Sequence, residues 1–304
     1  MILCFDIGGT AIKSAEAFCA DDIRPGARVP TPGGDFARFA AVLRRAVSDA
    51  STAPERVAIS IAGVIDPDTG RATVANIPCL TGRRLVADLT AELGLPVDLA
   101  NDADCFALAE AGIGAGRGHD VVFGLILGTG VGGGLVVRGE LINSAGGFAG
   151  EWGHGPVAQR IIGDQVLPAF ACGCGQTGCL DAICSARGME RLHLHLTGEA
   201  LDSQAIVAGW EAGAPAPSHT IGLWLELLAG PLAMVQNMLG AGIMAAGGGL
   251  SNSRPLIAAL DRALRARILR RLERPLIVPA ECAIEPGLVG AALLGLSRRG
   301  RALA

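Results

Sequence analysis

His154, Cys172, Cys174 and Cys179 are the most distinctive chemically able group in this 304-residue sequence. Three thiolates and one imidazole make the tetrahedral Cys₃His set of a closed structural zinc site, and glycines at 173, 175 and 178 let the chain wrap tightly round an ion. The alternative is thiols used as small core filler, which suits cysteines this close and glycine-separated poorly. The remaining cysteines, Cys4, Cys19, Cys79, Cys105, Cys184 and Cys282, lie in apolar contexts and read as core.

Asn101-Asp102 is a second group. A carboxylate at the end of a short strand can take the proton of an alcohol, as phosphoryl transfer to a hydroxyl requires late in the reaction. Asp102 reads equally well as the cap of a helix beginning near Ala103, and Asp104, inside that helix, is a weaker candidate base. A third group is glycine. Runs without Cβ atoms let several backbone N–H groups point at one phosphate, and such runs occur at Gly8-Gly9, at 128–134 (GTGVGGG) and at Gly247-Gly248-Gly249. Gly128, Gly130 and Gly133 satisfy G-x-G-x-x-G, but the dinucleotide fold needs a helix after the turn, and here LVV continues as a strand. No G-x-x-x-x-G-K-[ST] loop occurs. Either hairpin alone reads as readily as a tight turn without a ligand; the pair is more specific. Lys13, the only lysine, sits beside the first glycine turn as a phosphate contact or as a solvated strand residue.

These groups need a scaffold, and hydrophobic spacing supplies one. Residues 2–7 read as a buried strand, Gly8-Gly9 as a turn and 11–18 as a return strand, followed by loop signals at Pro25-Gly26 and at 31–34. Asp35 is a helix N-cap before Phe36, Phe39, Ala40, Leu43 and Val47, which recur at helical spacing. A strand at 57–63, a helix at 85–93, a strand at 96–100 and a helix at 103–110 follow. After a glycine-rich connection at 112–118 the hairpin pattern recurs, with strands at 121–127 and 135–142 around the glycine turn, a weak internal repeat. An Arg-rich amphipathic helix spans 255–272. The class is α/β.

Bulk properties narrow the function. The length suits two domains. A net charge of −4 offers no broad attraction for phosphate backbones or anionic lipid, which makes nucleic acid and membrane surfaces poor partners and a small molecule a better one. Gly, Pro or charge interrupts each apolar run before the ~18 residues of a membrane span. The start of the chain has no basic leader or cleavage site, so the cytoplasm is the expected compartment. An odd count of 9 cysteines in such a chain points to thiols or metal ligands rather than disulfides.

Taken in order, DIGGT at Asp6 to Thr10, Asn101-Asp102, LGTG at 127–130, EWGH at 151–154 and CGCGQTGC at 172–179 resemble the ROK family of sugar kinases and sugar-responsive repressors over nearly the whole chain. The resemblance implies a two-lobed actin/hexokinase-like ATPase fold with a nucleotide and sugar cleft between the lobes. The small lobe would be 1–115 plus 287–304, with a terminal helix near 287–297 returning to it, and the large lobe 116–286. It implies ATP-dependent phosphorylation of a hexose or N-acetylhexosamine, N-acetyl-D-glucosamine at O6 first, with glucose or fructose as alternatives. Asp6 would orient hydrated Mg²⁺, while Gly8, Gly9, Thr10, Thr129 and Gly130 meet phosphate and Gly247 to Gly249 lie on the adenosine side. Asp102 would be the base, and the sugar contacts would be the Gly63 loop, Asn101, Asp102, Glu151 and His154. Zinc would fix the loop carrying Glu151 rather than polarise the substrate, and a homodimer is the assembly suggested.

Two positions depart from the family pattern. Asp181 stands where a sugar-binding Glu is usual, one methylene or about 1.5 Å short, so a direct hydrogen bond becomes a water-mediated one. Ala11 replaces a frequent basic residue. A repressor would need a DNA-binding segment before the first glycine loop, where only 1–5 precede Asp6, and a sugar-binding protein without catalysis is disfavoured by Asp6 and Asp102.

Overall fold

The computed structural model describes residues 1–74, 76–143 and 146–299. The chain divides into two compact units, one built from Met1–Gly118, Gly134–Ala149 and the segment from Cys282 onward, the other from His119–Gly133 and Gly150–Glu281.

The first unit opens with β1 (Ile2–Ile7), β2 (Ala11–Cys19) and β3 (Asp22–Pro30), then α1 (Phe36–Ser48), β4 (Arg56–Ile61), the small hairpin β5 (Gly63–Ile65) and β6 (Ala72–Val74), α2 (Leu85–Leu93), β7 (Val97–Asn101) and α3 (Asp102–Ile113). Its sheet runs β3-β2-β1-β4-β7, with β1, β4 and β7 parallel. Strands buried on both faces read as continuous apolar runs, and β1 and β4 do so because helices cover the sheet. Phe39 and Leu43 of α1 and Leu85 and Leu89 of α2 pack with the β1, β4 and β7 side chains in one core. Asp35 caps α1 by accepting from the Ala37 and Arg38 amides.

The second unit contains β8 (Val121–Leu127) and the start of β9 (Val131–Val137); from Gly134 on, β9 and β10 (Glu140–Leu141) belong to the first unit. There follow the hairpin β11 (Ile161–Ile162) and β12 (Gln165–Val166), helices α4 (Leu180–Cys184), α5 (Ala186–Thr197), α6 (Ser203–Glu211) and α7 (Pro215–Leu239), then β13 (Ile243–Gly247), α8 (Arg254–Arg265) and β14 (Ile277–Pro279). α9 (Pro286–Ser297) returns to the first unit. The second sheet has the order β10-β9-β8-β13-β14, with β13 parallel to β8 and β14. α7 is long and apolar enough to cross a membrane by length and composition, yet half of that window is buried, and Trp224 at its centre donates its indole N–H to the Cys184 carbonyl at 2.8 Å.

Several expectations shift in detail. Pro25-Gly26 lies inside β3 rather than in a loop, because β3 is an edge strand where a missing amide is tolerated. The strand expected through Gly63 breaks after Ile61 to start β5, where a side chain on Gly63 would sit 2.6 Å from the Thr73 carbonyl. The second glycine turn is only 128–130. Gly132 to Gly134 are extended in β9, where a Cβ on Gly133 would lie 2.6 Å from the Phe123 ring and one on Gly134 2.5 Å from the Ala103 carbonyl. That packing, with Asn143 bonded to Asp104, also puts 134–149 in the first unit, although the family pattern assigned them to the large lobe. The helix expected to reach 272 ends at Arg265, whose guanidinium turns back to the Leu272 carbonyl at 3.0 Å as the chain reverses toward β14. Of the expected small lobe, 300–304 lie outside the described residues.

Candidate active site

Register brings the first unit's chemistry to one end of its sheet. Ile7 pairs with Ile61 and Ile61 with Asn101, so the Gly8 turn, Gly63 and Asp102 all leave at the carboxyl ends of parallel strands, where open α/β sheets bind ligands. Asp6 is flanked by Lys13 on β2 and Ser60 on β4. The Ser60 hydroxyl donates to Asp6 Oδ1 at 3.0 Å, and Gly287 lies so near that a Cβ there would meet the same oxygen at 2.3 Å. Lys13 Nζ is 2.5 Å from Glu285 Oε2 and 3.6 Å from Asp6 Oδ2. Its bond to Glu285 raises its pKa most, burial opposes that, and the Asp6 charge adds to it. Lys13 is therefore a partly exposed residue held between two carboxylates.

In the first turn the Gly8 amide donates to the Ala11 carbonyl at 3.0 Å and the Thr31 hydroxyl to the Gly8 carbonyl at 2.7 Å, leaving Gly9 and Thr10 exposed. Gly9 is required by space, since a Cβ would lie 2.7 Å from Asn76 Cβ. Asn101 takes the cap of α3: its Oδ1 accepts from the Ala103 amide at 2.8 Å and its Nδ2 donates to the Gly63 carbonyl at 3.0 Å. Asp102 is the first helical residue and is exposed, with Oδ1 also 3.0 Å from the Ala103 amide. Asp104 is buried and accepts from Asn143 Nδ2 at 3.2 Å, which removes it as a base open to substrate. Asn143, which no sequence signal marked, also accepts from the Ala149 amide at 3.1 Å.

In the second unit His154, Cys172, Cys174 and Cys179 converge, their ligand atoms all within 4.8 Å of one another. Cys174 and Cys179 Sγ are 3.6 Å apart, and Cys172 Sγ is 3.6 Å from His154 Nδ1. Tetrahedral zinc with bonds of about 2.0 to 2.3 Å needs ligand separations of about 3.3 to 3.8 Å, which these two pairs meet, and with every donor within 4.8 Å of the rest the set suits that ion after closing by at most about 1 Å. The Gln176 amide lowers the exposed Cys174 thiol to about 7, whereas burial pushes Cys172 up to about 12 and raises Cys179. The other imidazole nitrogen, Nε2, faces Glu151 Oε2 at 3.6 Å. A carboxylate on that side could orient the imidazole of a metal-bound histidine.

The second glycine turn is fastened to the same region. Gly128 accepts from the Ala186 amide at 2.8 Å, Gly132 from Trp152 Nε1 at 2.9 Å, and the Val131 amide donates to Asp181 Oδ1 at 2.8 Å. The run at 247–249 divides. Gly247 is buried in β13; Gly248, at φ 88°, crosses so close to β8 that a Cβ would lie 2.4 Å from the Leu127 carbonyl; Gly249 opens to a cavity. That cavity, about 490 Å³, is lined by Gly128, Thr129, Val207, Glu211, Gly249 and Ser253 among others. Its α6 wall carries no motif, and only the packing of α6 beside the two glycine turns reveals it.

The family model described as the ROK family matches residues 2–298. The chain is 38% identical over 300 residues to an N-acetyl-D-glucosamine kinase of Pasteurella multocida (strain Pm70), spanning 97% of this chain and 99% of that protein. It is 36% identical to the N-acetylgalactosamine kinase AgaK of Shewanella sp. (strain ANA-3), over 95% of each. Among solved structures, a ROK hexokinase from Thermus thermophilus superposes with a TM-score of 0.82 at 29% identity, over 96% of this chain and 97% of that one.

Proposed function

The chain belongs to the ROK family, and we infer that it is an ATP-dependent sugar kinase that phosphorylates an N-acetylhexosamine, N-acetyl-D-glucosamine at O6 before others. The observation that carries the chemistry is Asp102: an exposed carboxylate that opens α3 at the carboxyl end of β7, beside Asn101 at the helix cap. In the proposed reaction the sugar hydroxyl oxygen bonds to the γ-phosphorus as the bond from that phosphorus to the β-phosphate oxygen breaks. Asp102 takes the hydroxyl proton, and ADP leaves.

The other roles follow from chemistry. Gly8, Gly9, Thr10, Thr129 and Gly130 offer amides and hydroxyls to phosphate. Asp6, oriented by Ser60 and Lys13, would hold hydrated Mg²⁺, which when bound neutralises charge on the phosphates. Lys13 is the near cation for the same phosphates, and Gly249 and the α6 wall suit the nucleoside. Asn101 retains one amide hydrogen beyond its bonds to Gly63 and Ala103, leaving it a donor for the sugar beside the Gly63 loop. Glu151 and His154 would bind sugar hydroxyls, with His154, Cys172, Cys174 and Cys179 holding a zinc ion that fixes their loop. A cytoplasmic homodimer with small-molecule partners alone completes the reading. The galactosamine kinase relative supports a second sugar, since N-acetylgalactosamine differs at one hydroxyl configuration.

An ADP-release assay over N-acetylglucosamine, N-acetylgalactosamine, N-acetylmannosamine, glucose and fructose tests this. The expected result is the highest kcat/KM with N-acetylglucosamine and a 6-phosphate product. No sugar-dependent ADP release from any of them would remove the kinase reading.

A further inference from the structure

Asp181 carries a role that its sequence position does not suggest. Both of its carboxylate oxygens are engaged within the second unit. Oδ1 accepts from the Val131 amide at 2.8 Å, and a Cβ on Gly130 would lie 3.0 Å from it. Oδ2 is 3.6 Å from Cys172 Sγ. The Asp181 amide in turn donates to the Gly153 carbonyl at 2.9 Å, and Gly153 is pressed so closely on β9 that a Cβ would fall 2.1 Å from the Val131 carbonyl. One residue thus grips the strand leaving the second glycine turn through its side chain and the Glu151–His154 loop through its backbone.

We propose that Asp181 is a positioning residue for the glycine turn at 128–130, setting nucleotide affinity, rather than a contact to the sugar. Length is the first argument. A glutamate would carry its carboxylate about 1.5 Å farther and could keep the Val131 bond only by pushing on Gly130 or Cys172. The short side chain fits the space between the turn and the cysteine loop. Chemistry is the second. With zinc bound, Cys172 is a thiolate and donates no proton to Oδ2, so the Val131 bond, which needs no metal, remains the anchor. Val131 begins β9 directly after the turn, so freeing its amide loosens the backbone that Thr129 and Gly130 present.

The inference rests on the turn being a phosphate loop, and the test separates the two claims. ADP binding by calorimetry is measured on zinc-loaded wild type, Asp181→Ala, Asp181→Asn and Asp181→Glu, with zinc content, melting temperature and the KM for ATP and for sugar measured alongside. Loss of one partly buried charged acceptor corresponds to about 5- to 10-fold. Asp181→Ala should weaken ADP binding and raise the ATP KM by about that factor, with sugar KM changed less than about twofold. Asp181→Asn keeps an acceptor and should bind ADP like wild type, while Asp181→Glu should weaken it. If Asp181→Ala does not fold or loses zinc, the Asn and Glu pair decides: equal damage in both overturns the positioning role, and damage in Glu alone supports it. A rise confined to sugar KM, or unchanged ADP affinity in a folded Asp181→Ala protein, also overturns it. Wild type that binds no ADP at all removes the phosphate-loop reading and this inference with it.

Discussion

At the scale of single residues, the decisive separation is between Asn101 and its neighbour. Asn101 spends its oxygen on the α3 amide and an amide hydrogen on Gly63, while its neighbour Asp102, the first residue of α3, is exposed and is the base we propose. Asp102→Asn should retain sugar binding and lose about 10²- to 10⁴-fold in kcat, because the amide keeps shape but accepts no proton. Activity above about a tenth of wild type would exclude Asp102 as the base. The cysteine cluster makes its own prediction. Metal analysis of protein purified without chelator should find one zinc per chain, and Cys174→Ala should lower zinc content and weaken sugar binding more than ADP binding. The types and spacing of these residues could be read without a structure, because a metal demands particular donors close together. Asp104, Asn143 and the true partners of Lys13 could not. Each depends on which side chain a remote segment brings within about 3 Å.

At the scale of elements, close backbone contacts hold the start of α3, which carries Asp102, in position. Gly134 of β9 lies against the first turn of α3, where a Cβ would fall 2.5 Å from the Ala103 carbonyl and 2.8 Å from Asp104 Cα. Gly134→Ala should push that turn outward, lowering kcat through displacement of Asp102 and reducing stability by about 1–3 kcal/mol, read by kinetics and urea denaturation. α9 crosses α3 still more closely, since a Cβ on Gly290 would meet the Cys105 carbonyl at 1.9 Å. Gly290→Ala should cost at least as much stability. β1, β8 and α2 match their sequence signals nearly residue for residue, and α9 matches the terminal helix that the family resemblance implied. The glycines at 132–134 did not read as strand, because glycine marks a turn by its own freedom and a strand only through what it must avoid touching.

At the scale of the whole molecule, the first unit is closed by ion pairs that join distant parts of the chain. Buried Asp98 on β7 meets Arg56 at 2.7 Å and Arg298 at 2.8 Å, and Glu55 binds the N-terminal ammonium at 2.6 Å and Arg299 Nε at 2.9 Å. Asp98→Ala strips the carboxylate from a buried guanidinium and should cost about 3–5 kcal/mol in chemical denaturation. Glu55 behaves differently because it is half exposed. Its bond to Arg299, and then that to the N-terminus, holds its pKa near 2, below the ordinary 4.5. A depressed folded pKa means stability that is complete above about pH 4.5 and lost as pH falls toward 2. Solvent screening limits it to at most about 1 kcal/mol. Glu55→Gln should therefore lower the melting temperature slightly at pH 7 and by less at pH 3, and an equal loss at both would discount the ion pairs.

The order of motifs from Asp6 to Cys179 determined the family and the α/β class, and brought out the candidates for phosphate and metal, because local backbone freedom, strand and helix periodicity and ligand chemistry are written in residue type and spacing. What only the tertiary structure decided is the assignment of partners. Asn101 rather than Asp102 caps α3, Lys13 pairs with Glu285, 134–149 pack with the first unit, and α6 walls the cavity beside Gly249. Asp181 belongs with these: its 2.8 Å bond from the Val131 amide spans 50 residues of sequence. Such contacts are set by packing between segments with no shared pattern, where a difference of one methylene decides which neighbour a carboxylate reaches.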